Sequence, residues 1–262
     1  MAYYYLATSL IPLEFGDIPD LGFLELIDKY SLTLSEVAMD ELKIIRLYFD
    51  LENIKQLLIN DPASFAFDLR GNLSQKELKK ALEEKDYFSQ YVYDFLKQYN
   101  EPKEAVYHFP ALLSAYYIHE SENASGFLKQ YLEFERCWRL IVTGYRAKKQ
   151  KKDVVKELSF EESRDLFIAS IFSQKDSPHF EAPFGYEEVQ EMLVVAKNRP
   201  MHQYRHLAEF RFRKLREMTA NKPFSLDYLL SYALRIVILE DLHGLNEMKG
   251  LEILNSILKD SA

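Results

Sequence analysis

The chain has 262 residues with 8 Gly, 9 Pro and 1 Cys against 18 Tyr and 18 Phe, so glycine stands at less than half the roughly 7% of average usage and phosphate-cradling loops are scarce. A hydrophobic content of 48% is ample for a core and excludes global disorder, and a single cysteine excludes an internal disulfide or a cysteine-rich zinc site. The formal charge of −8 is uneven: residues 1–135 carry 12 Lys+Arg against 23 Asp+Glu and residues 136–262 carry 21 against 18, which suits regions facing different partners or two solvated surfaces that merely differ.

The uncharged stretch 2–13 follows no basic residue and is interrupted by Thr8, Ser9 and Pro12, so it reads as neither a signal peptide nor a span of about 20 apolar residues. No direct membrane span is expected, and cysteine usage suits a reduced cytoplasmic compartment. Within that stretch Tyr3-Tyr4-Tyr5-Leu6 is β-prone and predicts a short N-terminal strand. Every other segment reads as helix or loop. A short helix is predicted over 20–30, and Thr33-Leu34-Ser35-Glu36 has the form of a capping box opening the next. There Ile44, Leu47, Leu51, Ile54 and Leu58 recur at steps of 3 and 4 until Asp61-Pro62 ends the helix. Ser74-Gln75-Lys76-Glu77 repeats the capping device, and Phe88, Tyr91, Val92, Phe95 and Tyr99 form the stripe of the helix after it.

The clearest periodicity is Phe127, Tyr131, Phe134, Trp138, Ile141 and Tyr145, a coiled-coil-like seam of bulky rings. A helix over 123–158 would be about 50 Å long, with Gly144 or the lysine run as places to break. Ser159-Phe160-Glu161-Glu162 predicts a restart, and 176–185, with Pro178, Pro183 and Gly185, predicts a loop or linker. Helices are expected over 186–198, over 200–219 with Pro200 in its first turn, and over 225–242, capped by Ser225 and apolar on most sides, hence central. A last helix is expected over 246–259. The long helices recur at intervals of about 90 to 100 residues, a weak repetition. The chain therefore reads as one all-α protein with units near 1–100, 101–175 and 176–262.

A search for catalytic groups returns little. Neither a Gly-x4-Gly-Lys loop nor a Gly-x-Gly-x-x-Gly turn occurs. His202 and His206, spaced i, i+4 and followed by Glu209, could clasp a metal, but Arg205, Glu209 and Arg213 also step by four and make an exposed ion-pair ladder the better reading. Cys137, beside Trp138 on an amphipathic helix, reads as a buried inert thiol. Glu161-Glu162 and Glu187-Glu188 read as helix-start or surface charges. Glu240-Asp241, following an apolar helix, stands out, although a helix emerging into water explains it too. Basic residues concentrate over 136–156 and 197–216. The acidic overall charge and the lack of a recognisable reading module argue against nucleic acid. The lysines at 148, 149, 151, 152 and 156 could meet an acidic protein surface or anionic headgroups, or simply complement the dipole of a solvated helix end. Residues proposed to contact a partner are Arg146, Lys148, Lys149, Lys151, Lys152, Arg205, Arg213 and Arg216. No catalytic, cofactor-binding or metal residue is assigned.

Four stretches carry a family resemblance: Tyr3-Tyr4-Tyr5-Leu6-Ala7-Thr8-Ser9-Leu10-Ile11-Pro12; Phe49-Asp50-Leu51-Glu52-Asn53-Ile54-Lys55-Gln56-Leu57-Leu58; Phe134-Glu135-Arg136-Cys137-Trp138-Arg139-Leu140 with Arg146-Ala147-Lys148; and Glu240-Asp241-Leu242 through Leu245 to Gly250. They resemble an uncharacterised bacterial family encoded among the subunits of V-type ATPases, itself similar to the C-type, or d-type, subunits of those machines. The sequence departs from the C/d pattern where Ile59 replaces a usual Arg and Trp138 a usual Asn. The resemblance implies an elongated or funnel-like assembly of three similar helical units. It implies a non-catalytic coupling subunit that joins the central rotor stalk to the membrane rotor ring, peripheral to the membrane through the complex. The alternative is a helical protein-binding adaptor unrelated to ATPases.

Overall fold

The computed structural model describes residues 2–59, 67–177, 179–196 and 199–245. Among these every regular element is an α-helix, and the chain is all-α. It divides into two compact units, one of residues 30–190 and one of 1–29 with 191–262. The divisions fall at 29/30 and 190/191.

The larger unit is built on α3 (Glu36–Ile59), α7 (Phe109–Asn123) and α8 (Gly126–Lys149). Helices α7 and α8 pack along each other, and α3 packs on α7 and on the short α6 (Pro102–Tyr107). The ring seam of α8 is the reason: Phe127, Tyr131, Phe134 and Ile141 are buried, and each apolar side chain withdrawn from water contributes roughly 1.5–3 kcal/mol. Tyr116 of α7 adds a directional tie, its buried phenol donating to the Ile44 carbonyl of α3 at 2.9 Å. The expected capping box closes α4 (Gln75–Glu84), where Ser74 accepts from the Glu77 amide and Glu77 accepts from the Ser74 amide. Helix α5 (Gln90–Gln98) follows and packs on α7. The start of α3 lies two residues later than the box at Thr33 implied, with the Ser35 hydroxyl accepting from Ala38 N at 3.4 Å. The end expected at Asp61-Pro62 lies outside the described residues.

Helix α8 does not run to 158. It ends inside the lysine run, where Lys151 adopts φ 57° and Lys152 N returns to the Ala147 carbonyl at 2.9 Å, a left-handed termination that satisfies free carbonyls. Gly144 is not the break: it stays helical, and its missing side chain admits Phe180, whose Cε2 would lie 2.7 Å from a Cβ there. Asp153 caps α9 (Val154–Glu157). No helix restarts at Ser159: residues 158–165 form turns, and α10 (Leu166–Phe172) begins after an Asp165 cap. The loop expected over 176–185 is a loop over its described residues, pinned by buried Phe180.

In the smaller unit α13 (Leu226–Gly244) is buried continuously from Leu229 to Leu239, as expected of a helix apolar on most sides. Against it pack α12 (Pro200–Met218) and α1 (Ala2–Thr8). The N-terminal segment is thus a helix and not the short strand that its tyrosines suggested. Leu6, Ala7 and Leu10 recur at helical spacing and are buried, and that burial outweighs a β-propensity worth about 1 kcal/mol at most. Ser231 Oγ donates to the Leu215 carbonyl at 2.7 Å and joins α13 to α12. Helices α2 (Phe23–Ser31) and α11 (Glu187–Val195) lie where the sequence places helices. The last helix expected, over 246–259, lies outside the described residues.

Candidate functional site

Two stretches of the larger unit concentrate its buried charge. On α3, Arg46, Asp50 and Asn53 recur at i, i+4 and i+7 and so share one face. Asp50, fully buried, accepts from Asn72 N at 3.0 Å, Asn72 Nδ2 at 2.9 Å and Leu73 N at 3.2 Å. Asn53 donates to the Asp68 carbonyl at 2.8 Å and accepts the Asp68 amide at 2.9 Å. Arg46 donates to the carbonyls of Arg70 and Gly71. Gly71 is required because a Cβ there would collide with Asp50 Oδ1. Burial raises the Asp50 carboxyl above its ordinary range, against the pull of the Asn72 and Leu73 amides. The Asp-x-x-Asn motif therefore clamps the segment 67–73 to α3.

The second stretch lies on α8. Glu135, fully buried, pairs with Arg139 Nε at 3.3 Å, and the Arg139 guanidinium lies 5.2, 5.6 and 5.1 Å from the rings of Tyr48, Tyr117 and Trp138. One turn away Arg136 pairs with buried Glu161 and, at 2.9 Å, with Asp165. Ser114 of α7 donates to the other oxygen of Glu161. Burial works against ionisation of Asp165, but Arg136 and the amides of Phe167 and Ile168 hold its carboxyl below the usual range. Glu161 is thus a buried ion-pair partner and not the helix-start charge that its sequence context suggested. The signal for that role, a partner 25 residues away in sequence, is not local.

Beside the second group lies a cavity of about 470 Å³, bounded by α3, α6, α7, α8 and the turns after α9. Phe109, Tyr117, Trp138 and Phe160 line it, with Lys55, Arg136, Arg139 and Arg146 supplying cations and Glu52 and Glu161 carboxylates. Lys55 is held by Glu52 at 3.3 Å and lies 4.8 Å from the Phe109 ring.

The eight basic residues proposed to contact a partner fall into two groups. In the larger unit Arg146 lines the cavity mouth and is exposed. Lys148 is engaged internally, Nζ donating to the carbonyls of Lys175 at 2.5 Å and Ser177 at 2.8 Å. Lys149 and Lys151 are exposed, and Lys152 reaches Glu157 at 3.4 Å. In the smaller unit Arg205 lies 5.7 Å from the Phe15 ring, Arg213 lies 5.8 Å from the Phe210 ring, and Arg216 meets Glu14 at 3.2 Å. Glu240 is a tie inside the same unit, accepting the Phe23 amide at 2.7 Å and thereby capping α2. The cap was hidden in the sequence because 217 residues separate its partners.

Among the described residues no three His, Cys, Asp or Glu side chains gather to hold a metal, His202, His206 and Glu209 included. Burial pushes the Cys137 thiol up to about 11, against a hydrogen bond with Tyr186, so it is protonated at neutral pH. Among the same residues no helix is long and apolar enough to cross a membrane.

The comparisons with known proteins extend over nearly the whole chain. An uncharacterized protein of Chlamydia trachomatis is 28% identical over 258 residues, covering 98% of this chain and 97% of its own. One of Chlamydia muridarum is 28% identical over 259 residues with the same coverage, and one of Chlamydia pneumoniae is 26% identical over 265 residues, covering 99% and 98%. No solved structure matches. The family model described as "Protein of unknown function (DUF2764)" matches residues 1–261, and the chain belongs to that family.

Proposed function

We propose that the protein is a non-catalytic coupling subunit of a V-type ATPase or ATP synthase, linking the central rotor stalk to the membrane rotor ring and held at the membrane through that complex. The observation that carries this reading is the place of two resemblance stretches in the larger unit. Residues 49–58 and 134–148 supply buried Asp50, Asn53 and Glu135 and half-buried Arg136 and Arg139, the polar residues that tie its helices and turns together. A part that transmits torque must deform little, and close-packed helices fastened by buried charge meet that demand. A non-catalytic role is supported by the occupation of these groups: Asp50 is bound by three donors, Glu161 by Arg136 and Ser114, and Cys137 is a neutral thiol. Exposed Arg146, Lys149 and Lys151 offer a basic surface to an acidic partner.

Pull-downs of the tagged full chain with the stalk subunits of the source cell's V-type ATPase test the reading. Stable capture that weakens with salt and with Lys149→Glu/Lys151→Glu is the expected result. Absence of binding to every stalk subunit, with capture of an unrelated protein instead, favours the adaptor alternative.

A further inference from the structure

We propose that the cavity of the larger unit binds a small organic anion with a flat apolar body, its acid group held by Arg146. The volume of about 470 Å³ lies within the range of small-molecule sites, roughly 300–1,000 Å³. Its walls present the rings of Phe109, Tyr117, Trp138 and Phe160, surfaces that take a planar apolar body by stacking or edge contact. The charges at its edge decide the sign of the ligand. Lys55 is held by Glu52, Arg136 by Glu161 and Asp165, and Arg139 by Glu135. Arg146 alone of the four lining cations makes no ion pair among the described residues, and it is exposed at the mouth. The same pairings occupy both lining carboxylates, so a cationic ligand would meet paired carboxylates and a free guanidinium. A guanidinium presents a planar fork of donors that fits a carboxylate or sulfonate in two-point fashion. A neutral apolar ligand would leave that fork unused. The site does not rest on the coupling reading, although Arg146 also belongs to the basic surface offered there to a protein partner.

The chain reports on this cavity without a label, because Trp138 is its one tryptophan and lines the wall. The test is a titration of the full chain with anilinonaphthalene sulfonate, beside phenylnaphthylamine, the same ring system without the sulfonate. Trp138 emission is expected to be quenched as a single equivalent of the sulfonate binds. A charge-assisted contact implies that Arg146→Gln weakens the sulfonate by about tenfold or more and phenylnaphthylamine by less than about twofold. Lys151→Gln, which removes an exposed charge outside the lining, should leave the sulfonate's affinity unchanged. The proposal is overturned if the sulfonate binds without quenching Trp138, if Arg146→Gln binds it as tightly as the wild type, or if Lys151→Gln weakens it as much as Arg146→Gln does. Failure of the sulfonate to bind at all overturns it as well.

Discussion

Each unit holds an arginine among three aromatic rings, and the two differ in what balances the charge. Arg139 in the larger unit lies among Tyr48, Tyr117 and Trp138 and is paired with Glu135. Arg235 in the smaller unit is 4% exposed and lies 5.5, 5.9 and 5.6 Å from the rings of Phe212, Tyr228 and Tyr232. Its Nε reaches the Ser231 carbonyl at 3.4 Å, and no carboxylate among the described residues pairs with it. Burial accordingly pulls the Arg235 pKa below the usual arginine range, against the favourable influence of Tyr228. Rings alone offset part of the cost of burying a cation, roughly 0.5–2 kcal/mol. A carboxylate inside the fold adds attraction but creates a second group that must not lose its partner. The larger unit is thus committed to its buried charges, whereas the smaller one merely tolerates its own.

Removing each cation in turn puts this contrast under the greatest strain. Arg139→Met removes the cation 3.3 Å from buried Glu135 and is expected to destabilise the protein by about 3 kcal/mol in urea melts. Adding Glu135→Gln should recover a large part of that loss. A neutral Arg139→Met would dissolve the distinction. The α3 clamp extends the same logic to an anion: Asp50→Ala leaves the Asn72 and Leu73 amides without their acceptor and should cost about 2 kcal/mol. Arg235→Met, by contrast, removes a buried charge with no counter-charge among the described residues, and is expected to fall within about 1 kcal/mol of the wild type. A loss as large as that of Arg139→Met would show that the rings and the Ser231 carbonyl balance the charge without a carboxylate.

Smaller effects follow from ionisation. Because burial raises the Asp50 pKa from 3.8, the native state binds this proton more tightly than the unfolded chain does. The resulting stabilisation is fully present below 3.8 and is lost as pH rises through the folded value. The stability margin of the wild type over Asp50→Asn should therefore shrink as pH rises from about 4 towards 7. A margin that grows with pH would mean that Asp50 is held ionised. At Cys137, with its thiol pushed up to about 11, alkylation by iodoacetamide at neutral pH should be far slower in the native than in the urea-unfolded chain. Equal rates would contradict the burial argument.

Much of the fold was legible because helices declare themselves locally. The Ser74 to Glu77 box, the Ser225 cap and the unbroken apolar run of α13 each fix an element from residues within a few positions of one another. The ring seam of α8 was legible for the same reason. Tyr3-Tyr4-Tyr5-Leu6 misled because β-propensity is weak beside the burial of Leu6, Ala7 and Leu10. The polar side of the structure was mostly hidden. The motif Asp50 to Lys55 was visible, but not its hold on segment 67–73, and nothing near Glu161 announces Arg136 and Ser114, 25 and 47 residues away. Arg146 was singled out as a residue proposed to contact a partner, while the cavity beside it is made by helices whose mutual arrangement is set by packing.

The coupling role is tested most directly by the subunit composition of the intact V-type ATPase, purified from the source cell through a tagged catalytic subunit and measured by quantitative mass spectrometry. A coupling subunit is expected there in fixed stoichiometry with the central-stalk subunits, leaving with them when the complex is dissociated by salt. An intact, rotation-competent ATPase that lacks the protein would contradict the role.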